Sequence, residues 1–208
     1  MPISSLLRGI GSGFAIAAPV GPIGLLCIRR ALRDGAVMGL ATGLGAATAD
    51  AVYGLVAAFG LGAITTLLLA NTNLLRVAGG VLLFWLGFTG LRAAWRNQPA
   101  QAAEVTARGV LGAYGSTFAF TLTNPMTILS FLAVIAALSG PEGGVSGGAV
   151  LVAGVFLGSA LWWVILVSLV TRLRRSLPTS LLRGIEIASG LVLVCFGAVA
   201  ILWGLAAI

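Results

Sequence analysis

Apolar residues in this chain form long runs that are separated by short polar segments. The runs cover about residues 10–28, 38–59, 73–94, 111–138, 148–170 and 185–207. Each run is close to or above the roughly 20 residues with which an α-helix crosses the hydrocarbon core of a bilayer. The pattern therefore predicts an all-α membrane protein of six transmembrane helices, in which the long fourth span tilts or breaks.

The composition supports lipid as the solvent of the outer surface. Hydrophobic residues make up 59% of the 208 residues and charged residues only 8%, and the mean hydropathy is +1.11. A soluble domain carries about a quarter charged residues, so this chain lacks the side chains for a water-exposed surface. The formal charge is +7, and all 12 basic residues are arginines that lie in short gaps between the apolar runs. There they orient the chain in a bilayer, and we expect no nucleic-acid partner.

The arginines are shared unevenly between the two sides of the predicted membrane. Ten of them follow spans 1, 3 and 5, whereas only Arg8 and Arg76 lie on the opposite side. Because cytoplasmic loops collect basic residues, the odd-numbered loops are predicted to be cytoplasmic and both termini outside. Arg29, Arg30 and Arg33 belong to the first of these loops, and no arginine is expected deep inside a span.

The two halves of the chain resemble each other. Gly11-Ser12-x-Phe14-Ala15 in span 1 matches Gly115-Ser116-x-Phe118-Ala119 in span 4. Leu74-Leu75-Arg76 before span 3 recurs as Leu181-Leu182-Arg183 before span 6. Alignment of spans 2 and 5 on Gly45 and Gly154 places Asp50 opposite Ser159 and Tyr53 opposite Trp162.

We interpret these matches as two repeats, at about 1–95 and 110–208, joined by a cytoplasmic loop at about 96–109 within a single domain of residues 1–208. Three spans per repeat is an odd number, so the second copy crosses the membrane in the opposite sense. Inverted three-helix repeats are typical of transporters, whose substrate site lies near the midplane between the repeats.

Asp50 is the acidic residue that lies deep inside a predicted span, and Tyr53 shares its helix face. A carboxylate at that depth costs at least a few kcal/mol unless a proton or a cation accompanies it. The functional interpretation is coupling or substrate binding, and the alternative is a packing hydrogen bond made by a neutral acid. The glycine series 35, 39 and 43 and the pair 154 and 158 favour close helix packing.

Proline interrupts two spans at similar depth. Pro19, Gly21 and Pro22 lie in span 1, and Asn124 precedes Pro125 in span 4. Both helices should kink or break there, and Asn124 followed by proline is a favourable helix start. The positive end of such a half-helix can bind an anionic group. Thr121 and Thr123 are expected at the second break, where the alternative is a simple kink.

Together these residues suggest a site for a zwitterion. The two half-helix starts would hold a carboxylate, and Asp50 would hold an ammonium group or an exchanged proton. No cofactor and no metal is expected, since histidine is absent and Cys27 and Cys195 are not at equivalent repeat positions. The same features argue against enzymatic catalysis and against a thiol-electron conduit.

Several segments resemble the lysine exporter family, which includes the homoserine and threonine translocators. They are Pro19-Val-Gly-Pro22, Gly43-Leu-Gly-Ala-Ala-Thr-Ala-Asp50-Ala-Val-Tyr53, Phe120-Thr-Leu-Thr-Asn124-Pro125 and Gly158-Ser-Ala-Leu-Trp162-Trp163. The resemblance implies an exporter of amino acids in the bacterial inner membrane, driven by the proton gradient. Its partners would be an amino acid or derivative, protons, lipid and, in a homo-oligomer, further copies of the chain.

Two alternatives stay open. The resemblance extends to metal-cation exporters, although hard cations usually take more than one carboxylate and this chain offers Asp50 alone at depth. The family commonly has lysine after the Asn-Pro pair, where this chain has Met126, so the resemblance does not determine which amino acid is exported. A structural or assembly role would predict no efflux and no effect of changing Asp50.

Overall fold

The computed structural model describes residues 2–19, 21–59, 70–95, 107–124, 127, 131, 144–174 and 178–206. Within these residues the fold is entirely helical. The helices are α1 (Pro2–Ala17), α2 (Pro22–Asp34), α3 (Ala36–Ala58), α4 (Thr72–Trp95), α5 (Ala107–Thr123), α6 (Gly144–Arg174) and α7 (Thr179–Ala206).

Two helices of the described part are long and apolar enough to cross a membrane by themselves, at Gly147–Arg174 and Ser180–Ala206. The segments Ile3–Ala17 and Pro22–Asp34 qualify together as one broken span, bent by 80° between them. The described part of the chain is thus all-helical and has two or three clearly apolar spans. The outer faces are apolar as well, since Trp85, Leu202 and Trp203 are each more than half exposed.

The break in the first span is confirmed, but its bounds differ from the prediction. The helix that was expected over about 10–28 is two helices that together run from Pro2 to Asp34. Pro22 is the first residue of α2, and its missing amide hydrogen cannot continue the ladder of α1. The fourth span is also interrupted, because α5 ends at Thr123.

The placement of Arg29, Arg30 and Arg33 in a loop was wrong. All three lie in α2, which ends at Asp34 and turns directly into α3 at Gly35. Gly35 has a φ of 92°, which side chains with a Cβ rarely adopt, so glycine serves this turn and not a helix contact. The tight turn keeps α2 packed along the start of α3.

The helices pack in four main pairs: α4 with α7, α1 with α6, α3 with α6 and α3 with α5. The first and third pairs run antiparallel. Gly80 meets Gly197 and Gly87 meets Gly190 in the first, and Gly43 meets Trp163 and Gly54 meets Val155 in the third. The other two pairs run in the same direction. Gly154 and Gly158 on α6 follow Leu6 and Ile10 on α1, and Gly45 and Tyr53 on α3 follow Tyr114 and Leu122 on α5.

Glycine makes these approaches close. A Cβ on Gly80 would lie 2.8 Å from the carbonyl oxygen of Gly197, and one on Gly197 would lie 2.7 Å from that of Gly80. Gly39 and Gly43 pack against Ala31 and Trp163. With Gly154 and Gly158 against α1, the predicted packing role of these four glycines is confirmed.

Candidate functional site

Asp50 lies in the interior of the helix assembly, on the face of α3 that packs against α6. Asp50 is 4% exposed. Its carboxylate oxygen Oδ2 accepts a hydrogen bond of 2.7 Å from the Ser159 hydroxyl. Ser159 in turn accepts a bond of 3.2 Å from the indole N–H of Trp163, one turn along α6. The three side chains form a short hydrogen-bonded chain that ends on the carboxylate.

The contact between Asp50 and Ser159 joins α3 to α6, which pack against each other. The alignment of the two halves of the sequence places these two residues at equivalent positions.

Tyr53 does not add its hydroxyl to the Asp50 carboxylate. It donates a hydrogen bond of 2.6 Å to the carbonyl oxygen of Leu122, in the last turn of α5. Carbonyls at a helix end have no partner within the helix, so Tyr53 satisfies a group that the end of α5 leaves open. Its ring stacks on Phe131, with the centroids 5.4 Å apart.

The end of α5 carries the predicted threonines. The Thr123 hydroxyl bonds back to the carbonyls of Ala119 and Phe120, and the Asn124 amide donates to the carbonyl of Thr121 at 3.3 Å. The Thr121 hydroxyl is buried and has no hydrogen-bond partner among the residues that the structure describes. Pro125 lies outside the described residues, so the predicted half-helix start after Asn124 stays a prediction.

The start of α2 has the form that the sequence suggested. Gly21 precedes Pro22 in an extended conformation, no side chain caps the helix, and the Gly21 carbonyl accepts from the Leu25 amide at 3.0 Å. Because no side chain caps the first turn of α2, its backbone N–H groups are available as donors. Anion binding at a helix start requires such donors. The described hydrogen bonds do not connect Pro19, Gly21 or Pro22 to Asp50.

Arg30 is the residue that the sequence reasoning missed. Its Nη1 donates to the Thr42 hydroxyl at 3.1 Å, the Ala113 carbonyl at 3.0 Å and the Thr117 hydroxyl at 2.9 Å. Its Nη2 donates to the Ser116 hydroxyl at 2.9 Å. One guanidinium thus ties α2 to α3 and α5, from a position close to the end of α2 and not from a loop.

The neighbouring Arg29 is also buried and donates to the carbonyl of Leu86 on α4 at 3.1 Å. Hydroxyl side chains within apolar runs, here Thr42, Ser116 and Thr117, are the sequence signal for such a contact. The signal is weak, because Ser and Thr in membrane helices commonly bond to their own backbone, as Thr42 and Thr117 also do.

Within the described part of the chain, no three residues among His, Cys, Asp and Glu lie together as metal ligands do. The site therefore consists of one interior acid with its hydroxyl partner, a capped helix end, an uncapped helix start and an arginine bonded to neutral groups. Such a set can bind opposite charges at separate points.

The comparisons with known proteins agree with a membrane transporter. LysE type translocators match residues 14–204. The chemotactic transduction protein ChpE of Pseudomonas aeruginosa is 33% identical over 180 residues, which cover 84% of this chain and 86% of ChpE. YcgF of Bacillus subtilis, provisionally named an amino acid efflux protein, is 28% identical over 192 residues, 89% of each chain.

The membrane protein YahN of Escherichia coli, whose name assigns no function, is 27% identical over 139 residues, 67% of this chain and 62% of YahN. No solved structure matches the chain. The match to the translocators covers nearly the whole length and includes both Asp50 and Ser159. The chain belongs to the LysE type translocator family, whose members are membrane translocators and not enzymes.

Proposed function

We propose that this protein is a secondary-active exporter of amino acids in the bacterial inner membrane, driven by inward flow of protons. The observation that carries the proposal is the Asp50 carboxylate, 4% exposed and bonded to one hydroxyl. A charged carboxylate in that position needs a compensating proton or cation. The ammonium group of an amino acid and a proton are two cations that can take turns there.

The proposed architecture is six spans in two inverted three-helix repeats. Equivalent helices of inverted copies run antiparallel, as α3 with α6 and α4 with α7 do. The first span of each copy should then run in the same direction as the second span of the other copy. The pairs α1 with α6 and α5 with α3 meet this requirement together.

The substrate class is supported from two sides. The name of YcgF refers to amino acid efflux, and that protein matches this chain along 89% of its length. The uncapped start of α2 at Gly21 and Pro22 provides amide hydrogens for a carboxylate, and Asp50 provides the charge for an ammonium group. The second carboxylate-binding start, at Asn124 and Pro125, is part of the same proposal, as are the hydroxyl groups of Thr121, Thr123 and Ser159.

The test is efflux from cells loaded with dipeptides, whose hydrolysis raises the internal amino acid pool. Cells that produce the protein should release at least one amino acid several-fold faster than cells without it, and a proton uncoupler should remove the difference. The Asp50→Asn variant should reduce this release to background while inserting normally, since an amide oxygen still accepts the Ser159 hydrogen bond.

Asp34→Asn is the matched control, because it makes the same chemical change at the end of α2, where Asp34 pairs with Arg33 at 3.7 Å. It should keep most of the efflux. An Asp50→Asn protein with full efflux would refute the role of Asp50. Release of no amino acid, combined with resistance to manganese or cadmium, would favour the alternative of a metal-cation exporter.

The orientation is tested separately with single cysteines in a background that lacks Cys27 and Cys195. A cysteine within 96–106 should react with a membrane-impermeant maleimide only after the cells are opened, because the loop is proposed to be cytoplasmic. A cysteine in place of Ser4 should react in intact cells. Equal reactivity of both positions from outside would refute the inverted arrangement.

A further inference from the structure

The hydrogen bonds of Arg30 leave one edge of its guanidinium open. Thr42, Ala113 and Thr117 occupy Nη1, and Ser116 occupies one hydrogen of Nη2. A guanidinium has five N–H donors, so the Nε hydrogen and the second Nη2 hydrogen have no acceptor among the described residues. Paired N–H groups of this kind bind both oxygens of a carboxylate.

The charge of Arg30 is not matched by a described carboxylate within ion-pair distance. All four acceptors are neutral. Asp34, the last residue of the same helix, lies within ion-pair distance of Arg33 and attracts Arg30 only from farther away. Hydroxyl and carbonyl dipoles orient the group but leave its positive charge in place. An anion at the open edge would gain from the full charge in a surrounding of low dielectric constant.

Arg30, on α2, contacts the same helix that carries Asp50. Its partner Thr42 is eight residues before Asp50 on α3, which corresponds to about 12 Å along the helix axis. Its partner Thr117 on α5 is followed one turn later by Thr121, whose buried hydroxyl has no described partner. Because α3 and α5 run in the same direction and Tyr53 bonds to Leu122, Thr121 lies at about the level of Asp50.

We propose that Arg30 binds the carboxylate of the substrate on its way into the protein, before the ammonium group reaches Asp50. The inference rests on the proposed amino acid efflux, in which the Arg30 end of α2 faces the cytoplasm. Arg30 then selects ligands that carry a carboxylate and rejects amines that lack one. Thr121 offers a hydroxyl to the ligand at about the level of Asp50.

The experiment uses the full-length protein in proteoliposomes and measures uptake in exchange for internal substrate. The ligands are L-threonine, L-lysine and L-leucine, each compared with its carboxamide, which keeps the ammonium group and loses the carboxylate charge. For the transported acid, the wild-type protein should show a KM about ten-fold below that of the amide, the size expected for one charge-assisted pair.

Arg30→Gln should raise the KM of the acid about ten-fold, leave that of the amide unchanged and alter kcat little. Arg30→Lys, which keeps the charge but not the paired donors, should recover part of the preference. Arg33→Gln removes a neighbouring charge of the same helix and should keep the preference. A purely structural Arg30 would instead change acid and amide alike, by loss of folded protein.

The outcomes separate the two proposals. If the wild-type protein transports none of the three acids, both the efflux and the role of Arg30 are refuted. If it transports an acid but takes the amide with equal KM, the efflux stands and carboxylate binding is refuted both at Arg30 and at the helix starts. If Arg30→Gln keeps the preference, the role of Arg30 alone is refuted. Should Arg30→Gln not fold, the wild-type ratio and the Arg30→Lys variant decide the question.

Discussion

Two polar centres lie along α3, and they are held in opposite ways. Asp50 is almost completely buried and receives one hydrogen bond, from Ser159. Arg30, two turns towards the start of α3 at the level of Thr42, makes four hydrogen bonds to three residues of α5 and one of α3. The acid is sparsely bonded in the interior, and the base is densely bonded but only partly buried.

This difference is informative about function. Four bonds to two other helices fix the position of a guanidinium, so Arg30 can bind a ligand without moving. A single hydroxyl contact leaves a carboxylate with unused acceptor capacity, which the proposed exchange of a proton for an ammonium group at Asp50 requires. A fixed base and an exchangeable acid are what we expect of a transporter that first selects its substrate and then couples its movement.

The helix packing beside Ser159 gives the largest effect. A Cβ on Gly158 would collide with the backbone of Ile10, so Gly158→Ala should push α6 away from α1 and lower the free energy of unfolding by about 3 kcal/mol. Gly115→Ala is the control, because a Cβ there meets nothing within 4 Å. It should be neutral or slightly stabilising, since alanine favours a helix. Thermal unfolding in detergent measures both, and equal melting temperatures would contradict this packing.

Loss of a hydroxyl should affect the two centres unequally. Ser159→Ala removes the hydrogen bond described for Asp50, and efflux should fall about ten-fold, which corresponds to 1–2 kcal/mol. Ser116→Ala removes one of four partners of Arg30, and efflux should fall only about two-fold. Initial efflux rates from dipeptide-loaded cells give the comparison. A larger loss in Ser116→Ala than in Ser159→Ala would reverse the contrast between the centres.

The smallest expected effect on stability is that of Thr121. Thr121→Val keeps the shape and removes a buried hydroxyl without a described partner, so the melting temperature should stay the same or rise. Thr117→Val loses the bond to Arg30 and should lower the free energy of unfolding by about 1 kcal/mol. If Thr121 contacts the substrate, efflux falls in Thr121→Val despite its stability. Unchanged efflux would exclude Thr121 from the transport path.

Much of the fold was predictable, because lipid imposes a simple rule on sequence. Runs of about 20 apolar residues must become helices, and the observed bounds of α3 and α4 lie within two residues of the predicted spans. The break at Pro22 follows from the missing amide hydrogen of proline. The packing of Gly39, Gly43, Gly154 and Gly158 follows from their spacing, which puts a flat surface on one helix face.

The candidate site was predictable only in part. Asp50 stood out because an acid within an apolar run is expensive. The sequence aligned it with Ser159 as an equivalent position, but that the two side chains are in contact is visible only in the structure. Arg30 was misplaced, because an arginine eight residues after a proline break is consistent with a loop and with a helix alike. Tyr53 was expected to place its hydroxyl beside Asp50, but the hydroxyl bonds to the carbonyl of Leu122 in the last turn of α5.

Local chemistry thus accounts for the helical fold, the affinity for lipid, the interrupted first span and the interior acid, since each depends on residues close together in the chain. The partners of Arg30, 12 to 87 positions away, and the bond of Tyr53 to Leu122, 69 positions away, depend on how helices meet. Apolar helices of similar length can pair in many ways. The side-chain shapes at the contacts select one arrangement, and that selection decides which charge faces which partner.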